Sequence, residues 1–431
     1  MISIKKRIAE NKMLVSLAAN GVATVIKSIT GLLMTKIIAV FVGPAGIALV
    51  GQLFNFITMT SVMATGGISS GIIKYVAEYR SDKKRLKNTV DNALLIIAVC
   101  SIVLTFIILI FYRKISLILF QSEQYSSIII FYSVVLCLSS LASFFISVIN
   151  GYKDIRSYVT IGIISNLVGF VISSCLVILF RVYGALLALA IGSIPTLIVS
   201  IFFLKRFDWF GIKQFSIRSV NKKEIYKYLK YSGMTLVAAC AVPLAQITIR
   251  NHIMTTLSCE VAGYWQALLK LSDAYLVIIT SSFAVYYLPR LSEIQNIDEL
   301  KKEVIASYKI IIPVIILICF SIYIFRYYII IILYSKQFLV MKDLIPIQLI
   351  GDFFKITSWV LAYIMIARAM IWTFILSEIF FNALYAMLAV FLIGKYQIPG
   401  VLYAYVINYI LYLIVMIIVF QREYVHYKNK I

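Results

Sequence analysis

Residues 182–192, VYGALLALAIG, recur in outline 216 positions later as residues 398–408, IPGVLYAYVIN. The identical pairs are Gly184 and Gly400, Leu186 and Leu402, Ala188 and Ala404, and Ile191 and Ile407. Asn166 falls on Asn382 at the same offset, and PAGIAL (44–49) shares Ala-Gly with VAGYWQ (261–266) at an offset of 217. Because this offset is close to half of the 431-residue chain, the pattern predicts two halves built on one plan.

The composition is typical of an integral membrane protein. Hydrophobic residues make up 62% of the chain and charged residues 13%, and the mean hydropathy is +0.98. One span needs about 20 apolar residues, so the chain has room for about twelve spans. A net charge of +22 would suggest a nucleic-acid partner for a soluble protein. In a membrane protein basic cytoplasmic loops explain this charge better, and we expect no nucleic-acid partner.

Apolar runs separated by glycine, proline and charged residues predict twelve membrane helices. Their predicted ranges are 13–42, 46–75, 89–112, 125–150, 158–180, 184–204, 226–249, 261–289, 304–333, 341–367, 370–393 and 399–421. The first apolar run continues far past any signal-peptide cleavage site, so we interpret it as an uncleaved span. An even number of spans places both termini on the same side of the membrane.

The distribution of lysine and arginine predicts which side that is. The two termini and the loops on their side hold 26 of the 40 basic residues, including the densest segment, 205–230, whereas the opposite loops hold 8. Basic loops stay in the cytoplasm. We therefore expect both termini to be cytoplasmic.

Six crossings return a chain to its starting side, so the two halves are predicted to be parallel repeats related by a pseudo-twofold axis along the membrane normal. We predict an all-α membrane protein with an N-terminal six-helix lobe (1–204), a basic cytoplasmic linker (205–225) and a C-terminal six-helix lobe with a short tail (226–431). This architecture is typical of transporters with a central site between the lobes.

Helix 1 carries two lysines inside its apolar run. Lys27 lies about fifteen residues from the outer end, which at ~1.5 Å per residue is too deep for its ammonium group to reach the interface easily. The residues predicted to share its face in a polar stripe are Asn20, Thr24, Gly31 and Thr35. Lys36 points to the opposite side of an ideal helix and is close to the outer end. Either it reaches the outer interface, or a bend near Gly31 turns it to the same cavity as Lys27.

Further ionisable groups lie in the second half. Lys270 and Asp273 are three residues apart on helix 8, and so are Asp352 and Lys355 on helix 10. Each pair either neutralises itself or serves in substrate binding and ion coupling. Glu378 and Asn382 form a polar pair on helix 11, and Arg250 ends helix 7 on the outer side, where it would guard a cavity or contact lipid headgroups.

The cations in the spans outnumber the acids, which favours an anionic substrate such as a phosphate or diphosphate. The sequence contains no G-x-x-x-x-G-K-[ST] motif, only two histidines and six scattered cysteines. We therefore expect no bound cofactor and no metal site, with coupling to H⁺ or Na⁺ left open. The predicted outer loops are short, which argues against an enzyme with its active site on a large external loop.

Four segments carry a resemblance that covers essentially the whole chain. They are LLMTKIIAVFVGPAGIALVGQLFNF (32–56), GGISSGIIKYVAEY (66–79), SDAYLVIITSSFAVYYLPRLSEI (272–294) and LIGDFFKI (349–356). The sequence resembles the Wzx-type flippases of lipid-linked O-antigen and enterobacterial common antigen units. These belong to the MATE-like multidrug/oligosaccharidyl-lipid/polysaccharide exporter superfamily.

The resemblance implies a twelve-helix, two-lobe flippase in the bacterial inner membrane. It would carry an undecaprenyl-diphosphate-linked oligosaccharide from the cytoplasmic to the periplasmic leaflet, with a polysaccharide polymerase and chain-length proteins as candidate partners. Lys27, Lys36, Asp273, Asp352 and Lys355 match positions that are charged in this family, whereas Lys270 is peculiar to this sequence. We hypothesise that the diphosphate is bound by Lys27, Lys36, Lys270, Lys355 and Arg250, and that Asp273, Asp352 and Glu378 couple an ion or orient the cations. The alternatives are a cation-coupled multidrug exporter of the same fold and, in another class, a membrane glycan polymerase or ligase.

Overall fold

The computed structural model describes residues 2–204, 222–294 and 296–428. The helices are α1 (Ile2–Phe41), α2 (Gly43–Ala64), α3 (Ser69–Tyr79), α4 (Lys83–Phe120), α5 (Ser126–Gly151), α6 (Ile155–Ile191), α7 (Ile194–Leu204), α8 (Lys222–Thr256), α9 (Cys259–Ser282), α10 (Leu288–Glu293), α11 (Ile297–Leu333), α12 (Ile345–Ala367), α13 (Ile371–Tyr396) and α14 (Ile398–Lys428). A π-helical turn, Phe283–Tyr287, joins α9 to α10, and a 3₁₀ segment, Lys336–Asp343, precedes α12.

The chain divides into two compact units. Unit 1 contains Met1–Val42 and Leu53–Ala239, and unit 2 contains Gly43–Gln52 and Cys240–Ile431. Both α2 and α8 therefore pass from one unit to the other within a single helix. The expected linker, 205–225, lies outside the described residues except for 222–225 at the start of α8. The expected boundaries of the two lobes stay a prediction.

Side-chain caps explain where several helices begin. Asp82 accepts hydrogen bonds from the backbone N–H groups of Lys84 and Arg85, both at 3.1 Å, and so starts α4. Ser258 caps α9 and Asn296 caps α11 in the same manner. Each cap satisfies N–H groups that have no partner inside the helix.

Ten helices of the described chain are long and apolar enough to cross a membrane, and the bent pair Cys259–Val277 and Ile279–Glu293 brings the number to eleven. One of the ten is the 50-residue segment Ile155–Leu204, which is too long for one crossing of a ~30 Å apolar core. Its backbone leaves the helical region at Arg181, with φ 52° and ψ −124°. This break lies between the fifth and sixth predicted spans, while the total of twelve stays a prediction.

One predicted span is wrong in its extent. The range 46–75 was expected to be one helix, but α2 ends at Ala64 and α3 begins at Ser69. Gly66 and Gly67 adopt left-handed backbone angles, with φ of +62° and +66°, which no right-handed helix can contain. The two adjacent glycines in the sequence are a signal for a helix break. The prediction missed this break because it relied on apolar content alone.

The backbone repeats its special features 216 residues apart. Left-handed residues occur at Lys153 and Ala369, and again at Arg181 and Gln397. In the same register, α5 and α12 end at Gly151 and Ala367, and α6 and α13 begin at Ile155 and Ile371. The two units therefore reproduce the turns of one plan, which supports the internal duplication inferred from the sequence.

The paired glycines Gly184 and Gly400 have the same structural role. A Cβ atom at Gly184 would lie 1.9 Å from the carbonyl oxygen of Leu176, and one at Gly400 would lie 2.3 Å from that of Leu392. Both distances are too short for any side chain. Each glycine thus lets the chain fold back closely after the left-handed residue three positions before it.

Gly184→Ala and Gly400→Ala are each expected to lower the free energy of unfolding by about 1–3 kcal/mol or more, because the added methyl group collides with backbone. Gly162 and Gly394, which have no atom within 4 Å of a built Cβ, are the matched controls, and alanine there should leave stability unchanged or raise it. The measurement is the thermal unfolding midpoint of the purified protein in detergent. An unchanged midpoint for Gly184→Ala would contradict the close approach.

Each unit has its own buried apolar cluster, and apolar side chains also cover the outside. In unit 1 the cluster includes Ile72, Phe144 and Tyr228, and in unit 2 it includes Phe283 and Ile356. The most exposed large apolar side chains, at 71–75%, include Ile110, Leu179, Trp372 and Phe391. Such exposure would favour aggregation in water, whereas a bilayer solvates it.

Candidate functional site

Among the acidic groups whose burial the structure describes in unit 2, Asp352 on α12 is the most deeply buried, with 0% of its surface exposed. One carboxylate oxygen accepts hydrogen bonds from Ser272 Oγ, at 2.7 Å, and from the Tyr275 hydroxyl. The other accepts from Tyr405 OH at 2.8 Å and Gln348 Nε2 at 3.2 Å. Four neutral donors from α9, α12 and α14 therefore surround one carboxylate.

Gly351, next to Asp352, makes room for one of these donors. A Cβ atom at this position would lie 2.2 Å from Cδ1 of the Tyr405 ring. The absence of a side chain lets α14 approach α12 closely enough for the Tyr405 hydroxyl to reach the carboxylate. In the segment LIGDFFKI, the glycine thus serves helix packing, and the aspartate supplies the buried charge.

Four charged groups of unit 2 surround Tyr409. The ammonium group of Lys355 lies 5.2 Å from the Trp359 ring centroid and 5.9 Å from that of Tyr409. The charges of Glu378, Asp352 and Asp273 all act on the Tyr409 hydroxyl. Glu378 also accepts a hydrogen bond from Asn382 Nδ2 at 3.2 Å, as the predicted polar pair requires. The fold therefore brings Asp352, Lys355, Glu378 and Asp273 into one region.

The two lysine–aspartate pairs do not form ion pairs. In the described part of the chain, no nitrogen–oxygen distance within 4.0 Å joins Lys270 to Asp273 or Lys355 to Asp352. Asp352 is satisfied by neutral donors, and Lys355 lies against aromatic faces. Neither pair is therefore in direct ionic contact, although the charge of Asp273 still acts on Lys270 and that of Lys355 on Asp352.

Arg250 occupies a different place from the expected one. It was predicted to end a helix at the outer surface, but α8 continues to Thr256 and Arg250 is 0% exposed. Its guanidinium donates to Gln52 Oε1 at 2.7 Å and to Gln266 Oε1, and lies 5.3 Å from the Trp265 ring. Contact with headgroups is excluded in this arrangement, because neighbouring side chains enclose the group. Its charge acts on that of Lys270, so these two cations are neighbours.

In unit 1, α1 runs as one helix from Ile2 to Phe41 through Gly31. Lys27 is exposed and Lys36 is half-buried, as expected for residues on opposite sides of a continuous helix. Thr24 and Gly31 are exposed like Lys27, whereas the side chain of Asn20 lies outside the described residues. Beside the stripe, Thr30 donates to Asn166 Oδ1 on α6 at 2.7 Å, which holds α1 against α6.

Several neighbours of the site escaped the sequence analysis. These are Gln52, Trp265, Gln266, Ser272, Tyr275, Tyr405 and Tyr409. The pattern YAYVINYILY (403–412) does place Tyr405, Tyr409 and Tyr412 on one helical face, and this was a usable signal. Nothing in the local sequence indicates that Gln52 bonds to a residue almost 200 positions away.

Comparison with known proteins shows the family to which the chain belongs. A family model described as "Polysaccharide biosynthesis protein" matches residues 14–295. The chain belongs to this family. Lipid III flippase of Escherichia coli (strain K12) is 30% identical over 395 residues, which are 90% of this chain and 94% of that protein. The Lipid III flippase of Shigella flexneri matches with the same values.

Solved structures show the fold of this member of the polysaccharide biosynthesis family. An inward-facing multidrug resistance MATE family transporter of the MOP superfamily aligns with a TM-score of 0.76 and 15% identity, over 96% of this chain and 99% of that one. The lipid II flippase MurJ in an inward closed conformation aligns with a TM-score of 0.70 and 16% identity, over 93% and 87%. The protein thus has a MATE-like fold and is a multi-pass membrane protein.

Proposed function

We propose that the protein is a flippase that moves an undecaprenyl-diphosphate-linked oligosaccharide, such as an O-antigen repeat unit, from the cytoplasmic to the periplasmic leaflet by alternating access. The observation that carries the proposal is the 30% identity to a lipid III flippase across 94% of that protein. The excess of buried and membrane-embedded cations supports it, because a diphosphate group needs positive charge where water is scarce.

Lys27, Lys36, Lys270, Lys355 and Arg250 are the proposed ligands of the diphosphate. Lys27 is the principal one, because it is exposed within an apolar helix. Lys355 is held over two aromatic rings and Arg250 is enclosed. Lys355 is half-buried, whereas Arg250 is not open to a substrate until its surroundings rearrange.

Asp352 is the proposed ion-coupling group, with Asp273 and Glu378 as the neighbouring acids. Its carboxylate is fully buried among hydroxyl and amide donors, and such a group can take up a proton or hold a small cation. Coupling to H⁺ or Na⁺ would then change the net charge of this region during the transport cycle.

The proposed location is the bacterial inner membrane, with both termini in the cytoplasm. In this orientation the basic segment 205–225 links the lobes on the cytoplasmic side, where it could hold anionic lipid headgroups. A negative interior favours outward movement of an anion by ~2.3 kcal/mol per charge per 100 mV. A polysaccharide polymerase and chain-length proteins are proposed to act next on the product.

Deletion of the protein is expected to make unpolymerised lipid-linked glycan accumulate on the cytoplasmic leaflet of the inner membrane. The assay is labelling of the glycan with a membrane-impermeant reagent in spheroplasts, which reaches the outer leaflet only. A strain lacking the polymerase is the control, because it should accumulate the same lipid on the periplasmic leaflet. If the lipid in the deletion strain is fully accessible, the protein is not the flippase.

A further inference from the structure

The first ten residues of α2 form a tight seam with α9. Although the rest of α2 belongs to unit 1, Gly43–Gln52 belongs to unit 2. A Cβ atom at Gly263 would lie 1.9 Å from the carbonyl oxygen of Pro44, and one at Gly51 would lie 2.5 Å from Cδ of Gln266. Gly263 therefore lets the backbone of α9 contact the backbone of α2, and Gly51 lets the backbone of α2 contact the side chain of Gln266.

Arg250 lies behind this seam. Gln52, the last residue of the segment, accepts a hydrogen bond from Nη1 of Arg250 at 2.7 Å, and its own amide donates to Asn251 Oδ1 at 2.7 Å. Gln266 on α9 accepts from Nη2, and Nε of Arg250 has no hydrogen-bond partner among the described atoms. In the described part of the chain, no carboxylate lies within 4.0 Å of the guanidinium.

This arrangement compensates the charge of Arg250 poorly. A fully buried cation loses its hydration, and two neutral amide oxygens and the face of the Trp265 ring return only part of that stabilisation. The guanidinium fork suits a phosphate oxyanion, which would neutralise the charge and accept two parallel hydrogen bonds. The amide oxygen of Gln52 thus occupies a position in which a phosphate oxyanion would stabilise the guanidinium more strongly.

We propose that Gln52 is a removable cover over an anion site: when Gly43–Gln52 separates from α8 and α9, Arg250 is exposed and binds a phosphate oxyanion. This inference rests on the proposed flippase function, which requires the site to open to each side in turn. In the expected orientation, the α1–α2 and α8–α9 connections lie on the periplasmic side. Arg250 would therefore hold the diphosphate only after the protein has opened outward.

The cover predicts opposite effects for two substitutions of Gln52. Gln52→Ala leaves Nη1 of Arg250 without a partner in the closed state and should favour opening, by about tenfold. Gln52→Glu has nearly the same shape but gives the buried guanidinium a carboxylate partner, so it should favour the closed state. A glutamine that merely packs would respond to both substitutions in the same direction.

Opening is measured with a cysteine reporter at Ala48, which is 0% exposed within the segment. Ala48→Cys is introduced after the six native cysteines are replaced by serine or alanine, and a small charged thiosulfonate reagent is applied to proteoliposomes. Labelling should become about tenfold faster with Gln52→Ala and slower with Gln52→Glu. Gln124, exposed in the α4–α5 connection, is the matched control, and the same changes there should leave the rate unaltered.

Inorganic pyrophosphate is the probe for the anion site. Its apparent affinity should rise with Gln52→Ala by the same factor as the labelling rate, because both report the open fraction. The double variant Gln52→Ala/Arg250→Gln should lose this gain. In neutral phosphatidylcholine vesicles, the soluble headgroup glycerophosphoglycerol should not weaken pyrophosphate binding, whereas competition would assign the site to lipid headgroups and contradict a substrate site.

The cover is refuted if Gln52→Ala and Gln52→Glu change labelling in the same direction or not at all. The anion site is refuted if labelling rises while pyrophosphate affinity stays constant. Both assays work without any glycan lipid. Their failure is therefore distinguishable from failure of the flippase proposal, which is decided by the leaflet on which the lipid accumulates.

Discussion

Lys27→Ala is expected to abolish export of the lipid-linked glycan while the protein still inserts and accumulates normally. Lys27 is exposed within the apolar run of α1, and its side chain fills no core position. Its loss should therefore leave the fold intact. Removing one charge from a desolvated ammonium–phosphate contact costs at least ~2 kcal/mol, which corresponds to about a 30-fold loss of affinity.

Two matched variants sharpen this prediction. Lys27→Arg keeps the charge and should retain export. Lys309→Ala removes an exposed lysine near the cytoplasmic end of another predicted span, α11, and should have little effect. The measurement is glycan accumulation on the cytoplasmic leaflet, normalised to the amount of protein in the membrane. Normal export by Lys27→Ala would show that the diphosphate is bound elsewhere.

Asp352→Asn is expected to remove the dependence of transport on an ion gradient. The Ser272 and Tyr275 hydroxyls, which donate to one carboxylate oxygen, can turn to accept from an amide. Asparagine therefore preserves the hydrogen bonds and removes the charge. Where an ion is coupled through this group, a gradient should no longer raise the flux, so that flux with a gradient falls to the value measured without one.

Asp352→Ala tests the structural role of the same carboxylate, because alanine removes the hydrogen-bond acceptors as well as the charge. It leaves four donors without an acceptor in a buried place, at a cost of about 1–3 kcal/mol for each group that finds no other partner. It should lower both the thermal midpoint and transport, whereas Asp352→Asn should lower transport alone. The assay is uptake of lipid-linked glycan into proteoliposomes with and without a proton or sodium gradient. Gradient-driven flux in Asp352→Asn equal to that of the wild type would assign Asp352 a purely structural role.

Features that depend on local sequence were predictable. Apolar content identified the membrane helices, because a bilayer demands about 20 apolar residues in each span. Gly184 and Gly400, which are 216 residues apart, helped to predict the duplication. Both positions require glycine, because any side chain there would collide with the backbone of the preceding helix turn. Asp352 and Lys355 stood out because ionisable groups are costly within a membrane.

Side-chain partners were not predictable from local sequence. Lys270–Asp273 and Asp352–Lys355 looked like pairs at helical spacing, yet Asp352 is satisfied by Tyr405, Tyr275, Ser272 and Gln348 instead. The spacing of two residues on a helix shows that they share a face. It does not show which other helix presents a hydroxyl to that face.

The sequence by itself therefore determined the membrane class, the duplicated plan and the family resemblance, since each follows from composition or from residues at fixed spacing. Only the tertiary structure decided that Arg250 is enclosed and that Gln52, on α2, is its partner. Burial and hydrogen bonding depend on which helices meet and how closely they approach. Here Gly51 and Gly263 set that approach, by letting α2 and α9 come into contact.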